Sequence, residues 1–514
     1  MKMKKISLSI LSLGMLVFLA PTQSAKAQST TDTLAPQVTT LREKISGVEE
    51  RLATAESSLD KLTKIKVSGY IQAQYFHYEQ ASNYPYDNFM VRRARVKVVY
   101  EPTDGVAFTL EPDFQPGNLS IKNAFVQLNE PWLKTFSLWA GKFDRPDYEV
   151  EYSSSNLECL ERSRVITTLY PDEKAIGFKL EAMPHKTNLK IQLALLNGNE
   201  GYTFTDATGA TLNAAQNNVD FDGFKDLMAR VTYAFKLGKI GGLTIGAHEY
   251  YGHVKANSHD LLHSDYTYNK TETNVGSSIR RTWTGVEAQL YLDVLGGLAI
   301  KGEYIFGING TPGYYNTSSA VSPTVLSMKG DTLMQTITTT NTSTLRPAIE
   351  RNFMGYYVYL IKNIGKRNQF AIRYDYYDPN TKIKSDSIGY SHYSTSTSKT
   401  TDKITYSTGT SVIGTNNQTV AKVSNSLTSM NSLNDIAFGT WTFAWTYYFS
   451  ENIKIQLSYS IPVNQKVPAP VYNSAGKETS GVVTGYTVNN VSGTYDYSKL
   501  INQNFLTLRL QAKF

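Results

Sequence analysis

The segment from Asn504 to Phe514 (NFLTLRLQAKF) restricts the fold more than any other stretch of the chain. Leu506, Leu508, Leu510, Ala512 and Phe514 fall on one face of an extended strand, and Thr507, Arg509, Gln511 and Lys513 on the other. A strand of about ten residues, wholly apolar on one face and polar or charged on the other, is the unit of a transmembrane β-barrel. Its outer face meets lipid and its inner face meets water. A soluble sandwich can also end on an alternating strand, so the motif gains its weight from the rest of the chain.

The opposite end agrees. Residues 1–27 read as a cleavable signal peptide: Lys2, Lys4 and Lys5 form the charged start, Ile6 to Ala20 the apolar stretch, and Ala25-Lys26-Ala27 the cleavage site. The mature chain is expected to begin at Gln28, and with no cysteine next to the cut it is not expected to be a lipoprotein. A terminal Phe is similar to the signal that outer-membrane proteins present to their insertion machinery. After residue 27 no run has the roughly twenty apolar residues of a spanning helix. An exported chain of this kind enters a membrane as strands.

The 35 Tyr and 35 Gly among 514 residues suit a barrel with aromatic girdles and polar loops. The single cysteine, Cys159, rules out an internal disulfide and a thiolate zinc cluster. The precursor carries a net charge of +7, and removing Lys2, Lys4, Lys5 and Lys26 leaves +3, which is no basis for nucleic-acid binding.

Residues 28–37 read as a flexible leader. A heptad seam follows, with Val38, Leu41, Ile45, Val48, Leu52, Ala55, Leu59 and Leu62 spaced alternately by three and four. It predicts a helix that associates with copies of itself, the alternative being a single amphipathic helix packed on the barrel.

From Lys66 onward the alternation places sixteen strands, at 66–78, 89–101, 105–114, 120–128, 136–143, 174–182, 188–196, 226–236, 242–253, 281–292, 297–308, 352–363, 368–378, 437–449, 453–463 and 504–514. Links after even strands are short. Several links after odd strands are long: 144–173, 197–225, 254–280, 309–351, 379–436 and 464–503. Short periplasmic turns, long outer loops and an even strand count are what an outer-membrane barrel requires, and sixteen strands enclose an aqueous lumen.

The lumen lining follows from the same rule. In FMVRRARVKVVY (Phe89 to Tyr100), Arg93, Arg95 and Lys97 stack inward in one column, with Arg92 near a rim. The other expected inward cations are Lys179, Lys190, Arg230, Lys301, Arg373, Lys454, Arg509 and Lys513; the acids are Glu111, Asp113, Glu181, Glu287, Glu303 and Asp375. Excess positive charge in a narrow, low-dielectric passage concentrates anions. The alternative is that charges pair across strands, as Lys301 with Glu303 and Arg373 with Asp375. Loop 144–173 is the third outer loop, apolar enough to fold inward and narrow the pore. It brings Arg162 and Arg164 among many acids, and Cys159 as a small buried filler.

The runs YIQAQY (70–75), MVRRARV (90–96), GKFDRP (141–146) and LERSRV (160–165) resemble the phosphate-selective porin family, relatives of outer-membrane porins O and P. The resemblance is strongest over about 66–196. It implies a sixteen-stranded homotrimeric barrel, an inward-folded third loop and a pore lined by Arg and Lys. Arg92, Arg93 and Arg95 match the family's basic run, and Glu161, Arg162 and Ser163 its ERS motif.

Other motifs carry less. HEYYGH (248–253) approaches a zinc-protease signature, but its second His is one residue late and the segment alternates like a strand. No motif singles out a catalytic constellation, so neither enzyme activity nor a cofactor is expected. The expectation is an all-β transmembrane barrel passing small anions such as phosphate by passive diffusion among outer-membrane lipids. The anion pathway is Arg93, Arg95, Lys97, Arg162, Arg164, Lys179, Arg230, Arg373 and Arg509. The alternatives are a weakly selective general porin and a surface-display or adhesin barrel that uses its Ser/Thr/Asn-rich outer loops.

Overall fold

The computed structural model describes residues 63–79, 87–146, 150–198, 222–256, 276–294, 296–329, 332–346, 348–383, 435–465 and 504–514, with shorter stretches between them. The chain divides into two units, residues 1–63 and 64–514. In the first, Lys44, Val48, Glu49, Arg51, Leu52 and Thr63 are described, as helical and exposed. The signal peptide, the leader and the rest of the heptad seam lie outside the described residues, and a coiled coil is not shown.

The second unit is a closed antiparallel barrel. Its sixteen long strands are β1 (Ile65–Tyr78), β2 (Asp87–Thr103), β3 (Val106–Gln115), β4 (Asn118–Asn129), β5 (Phe136–Asp144), β6 (Lys174–Ala182), β7 (Leu189–Leu196) and β8 (Asp226–Lys236), followed by β9 (Gly241–Lys255), β10 (Ser278–Leu292), β11 (Leu298–Thr311), β12 (Ala348–Ile364), β13 (Asn368–Asp378), β14 (Phe438–Tyr448), β15 (Ile453–Pro462) and β16 (Phe505–Lys513). They are the sixteen that the alternation predicts, with ends displaced by a few residues. Each pairs with the next, and β16 returns to β1 in register from Tyr70↔Lys513 to Tyr78↔Phe505. Closure leaves no unpaired edge, which a sheet in hydrocarbon cannot tolerate.

The seam is held beyond the strand ends. Gly69 and Phe514 exchange two backbone hydrogen bonds of 3.0 Å. A Cβ at Gly69 would lie 2.4 Å from the Arg95 carbonyl oxygen and 2.5 Å from the Phe514 ring. Glycine is the residue that lets that ring lie on the strand.

Burial alternates with the same period as the sequence. On β16, Thr507, Arg509 and Gln511 are buried, whereas Leu508 and Leu510 are exposed to the surroundings of the barrel. Among the register shifts of the barrel, two bulges each insert an extra residue. Gln72 pairs with Arg93 but Ala73 with Val91, so Arg92 is an extra residue on β2. Glu111 pairs with Asn123 but Pro112 with Ile121, so Lys122 is an extra residue on β4. Pro112 has no N–H to donate to the ladder, which is why a bulge is tolerated opposite it.

The segment between β5 and β6 contains one short helix, α1 (Arg164–Leu169). Val165, Ile166 and Leu169 are buried, and they join a cluster with Tyr250, Trp283, Phe353, Tyr357 and Tyr377 from β9, β10, β12 and β13. The Trp283 indole N–H donates to the Tyr170 hydroxyl at 2.7 Å and stacks on Tyr250 at 4.0 Å. A Cβ at Gly355 would lie 2.6 Å from Val165, so this wall glycine admits the helix. α1 thus occupies the β9–β13 side of the interior.

The long links 309–351 and 379–436, expected as plain loops, contain a four-stranded antiparallel sheet of Tyr314–Lys329, Thr332–Arg346, Thr395–Thr408 and Ser411–Lys422. These strands are rich in Thr, a β-branched residue that favours extended backbone.

Candidate functional site

The segment between β5 and β6 reaches opposite parts of the wall. Ser154 bonds Tyr70 on β1 at 2.9 Å, and the Leu157 carbonyl accepts from Gln456 on β15 at 3.0 Å. Glu158 ion-pairs with Lys301 on β11 at 2.8 Å, and Glu151 with Arg373 on β13 at 2.9 Å. The Leu160 carbonyl accepts from Arg509 on β16 at 2.7 Å. A chain tied to β1, β11, β13, β15 and β16 crosses the lumen.

The wall cations are the anchors. Arg95 is buried and holds Asp113 at 2.9 Å, Glu173 at 2.6 Å and Glu111 at 3.9 Å. Both bulges turn a cation toward the crossing segment. Arg92 meets Glu161 at 3.0 Å, and Lys122 meets Asp172 at 3.5 Å, where Lys142 also arrives at 3.2 Å. Arg92, expected near a rim, thus faces into the barrel and pairs with the crossing segment. Lys301 pairs with the segment's Glu158 rather than across the strand with Glu303, because Glu158 reaches it directly. Arg373 does pair with Asp375, at 3.1 Å, and takes Glu151 besides.

The remaining expected pathway residues divide by their partners. Arg93 is buried and donates to the Gln72 side chain at 3.0 Å. Lys97 is half-buried. Arg162 pairs with Glu173 at 2.5 Å and donates to the Glu151 and Tyr152 carbonyls at 2.9 and 2.7 Å. Lys179 donates to the Asp144 carbonyl at 3.2 Å and lies 3.8 Å over Trp139. Arg230 pairs with Glu287, and Arg509 with Glu161 at 2.6 Å. Arg164 is exposed, with its guanidinium 4.2 Å over the Phe438 ring. Sequence reasoning passed over Arg281, which is buried and donates to the Gly198 carbonyl at 3.2 Å. Its odd parity, shared with Glu287 on β10, was the available signal.

Burial by itself raises a carboxyl, yet Arg92 and Arg509 hold Glu161 down to about 2. Glu173 is likewise held well below the usual carboxylate range, by Arg95 and Arg162. Burial pushes the Cys159 thiol up to about 12.

One sector of the wall stands apart. β14, β15, β16 and β1 are neighbours across the seam, and their sequences contain no Asp or Glu. Their buried polar side chains include Lys454, Arg509, Gln456, Ser458, Ser460, Thr442, Thr446 and Thr507. Thr442 and Ser460 share a hydrogen bond of 3.2 Å, and Gln456 donates to Thr446 at 3.2 Å. Between this sector and α1 lies a cavity of about 220 Å³, bounded by Arg164, Thr440, Thr442, Ser458 and Ser460 among others.

A closed sixteen-stranded barrel, apolar outside and charged inside, is the architecture of outer-membrane porins, and a partial family match supports that class for this protein. Residues 65–301 match the family model of phosphate-selective porin O and P, so the resemblance carried by the N-terminal motifs is shown, and it reaches into β11. No curated protein matches the chain. Among solved structures, the chain is similar to an anion-selective porin from Comamonas acidovorans, with 9% identity, TM-score 0.45, and 88% of this chain and 99% of that one covered. It is also similar to the outer membrane channel DcaP of Acinetobacter baumannii, with 10% identity, TM-score 0.40, and coverage of 88% and 97%. A third is OmpT, an outer membrane protein of Vibrio cholerae, with 10% identity, TM-score 0.37, and coverage of 88% and 97%.

Proposed function

We propose that this porin passes small anions, phosphate among them, by passive diffusion along the β14–β1 sector, with the segment 144–173 setting the constriction. The observation that carries the reading is the sector itself. Four contiguous strands line the lumen with hydroxyls, amides, Lys454, Arg509 and Lys513 and without a carboxylate. In a narrow passage bounded by low-dielectric walls, such a surface attracts anions, and weak serial contacts let them leave. Arg93, Arg95 and Lys97 then contribute differently from one another: Arg95 anchors the crossing segment, while Arg93 and Lys97 add to the background potential. Arg162, Lys179, Arg230 and Arg373 work through the pairs and contacts that shape the wall.

The family resemblance and the heptad seam support a homotrimer, and the Lys-rich start with its A-x-A site supports export with cleavage after Ala27. A weakly selective general porin is the second reading. It is favoured by the pairing of Arg92, Arg95, Lys301, Arg373 and Arg509 with acids of the crossing segment, which cancels much of their field.

The experiment that separates them compares Lys454→Gln/Lys513→Gln with Arg93→Gln in planar bilayers. The sector reading expects the double variant to lose more anion preference than Arg93→Gln does. Equal or reversed effects would remove the sector from the pathway.

A further inference from the structure

We propose that the cavity between α1 and the β14–β15 wall recognises a hydroxylated carboxylate of sugar-acid size. The inference rests on the channel reading above and adds a substrate class to it.

Four observations converge. The first is charge. Arg164 forms no ion pair among the described residues, and its guanidinium lies over Phe438 rather than against an acid. The neighbouring Arg162 and Arg373 are each matched by carboxylates. One unmatched guanidinium suits a monoanion, whereas inorganic phosphate is partly a dianion at neutral pH.

The second is geometry. A planar guanidinium backed by an aromatic ring presents its N–H groups as a fork, which matches the two oxygens of a carboxylate. The Arg164 backbone N–H donates to Asp375 at 3.2 Å and fixes the start of α1, so the fork is anchored at its base.

The third is the opposite wall. Thr440, Thr442, Ser458 and Ser460 line the same cavity. Each hydroxyl donates one hydrogen bond and accepts up to two, the capacity needed to follow a polyol whose own groups both donate and accept. Chloride and acetate can accept from these hydroxyls but have no hydroxyl of their own to donate in return. Glu161 and Asp375 also border the cavity, each already paired with arginine, and they oppose a second negative charge on the solute.

The fourth is size. About 220 Å³ lies below the range of roughly 300–1,000 Å³ typical of drug-sized ligands, and it suits a single sugar-sized solute.

The test uses the full-length porin in planar bilayers, with KCl current measured while D-gluconate, acetate, D-glucose or inorganic phosphate is added. Gluconate is expected to reduce the current at the lowest concentration of the four. Arg164→Gln is expected to raise its half-blocking concentration about tenfold, the loss of one charge-assisted contact. Thr442→Val/Ser460→Ala, which keeps the charge, is expected to weaken the block by gluconate more than the block by acetate. Gluconate blocking no better than acetate would overturn the proposal, as would phosphate blocking more strongly than gluconate, or gluconate block unchanged in both variants. Any of these with KCl conductance intact would leave the porin standing and remove only the sugar-acid site. A folded barrel that conducts nothing would remove both.

Discussion

Arg95 sits inside the wall with Asp113 and Glu173 within 3 Å, whereas Arg164 lies on a phenyl ring at the edge of a cavity. Removing one partner of a buried charge cluster strands the others, at a cost of about 3–5 kcal/mol. Arg95→Gln should therefore lower the thermal unfolding transition of the barrel far more than Arg93→Gln, whose partner Gln72 is neutral. Heat-dependent mobility on gels reads this directly, and equal shifts would contradict it. The inward direction of both arginines was legible in MVRRARV, because lipid on one side and water on the other enforce period two. Their difference was not. Arg92 enters the lumen through a bulge, and Arg95 meets Glu173 across 78 residues of chain, a contact that only the folded segment makes.

At the scale of elements, the sixteen strands were readable because each must satisfy the same outer and inner surroundings. The crossing segment obeys no such period. Its apolar side chains showed that it packs, while the wall it packs on follows from closure of the barrel. Its attachment depends on ionised carboxylates. Glu161, held at about 2 against an ordinary 4.5, contributes attachment that is full above about 4.5 and is lost as pH falls through about 2. Open-channel noise and conductance should accordingly rise between about pH 4 and pH 2. A flat conductance over that window would show that these pairs do not hold the segment. Cys159, fully buried with its thiol pushed up to about 12, gives an independent readout. Glu161→Gln/Glu173→Gln should speed its labelling by a maleimide at neutral pH, and an unchanged labelling rate would contradict the anchoring role.

For the whole molecule, closure at the β1–β16 seam is the step on which the lumen depends. Gly69→Val would drive a side chain into the Arg95 carbonyl and the Phe514 ring. Refolding into detergent should then yield markedly less of the heat-resistant barrel, and an unchanged yield would show that the seam tolerates the displacement. Closure also brings β1 beside β14–β16, joining strands from opposite ends of the sequence into one acid-free sector. Each strand's lack of acids is visible in the sequence, but their adjacency appears only once the ring is complete. That sector, more than the Arg93–Lys97 column, carries the account of selectivity. The most direct test is the reversal potential of the purified full-length porin in a planar bilayer under a KCl gradient. The account predicts a potential of the sign set by chloride, and one near zero or of the sign set by potassium would contradict it.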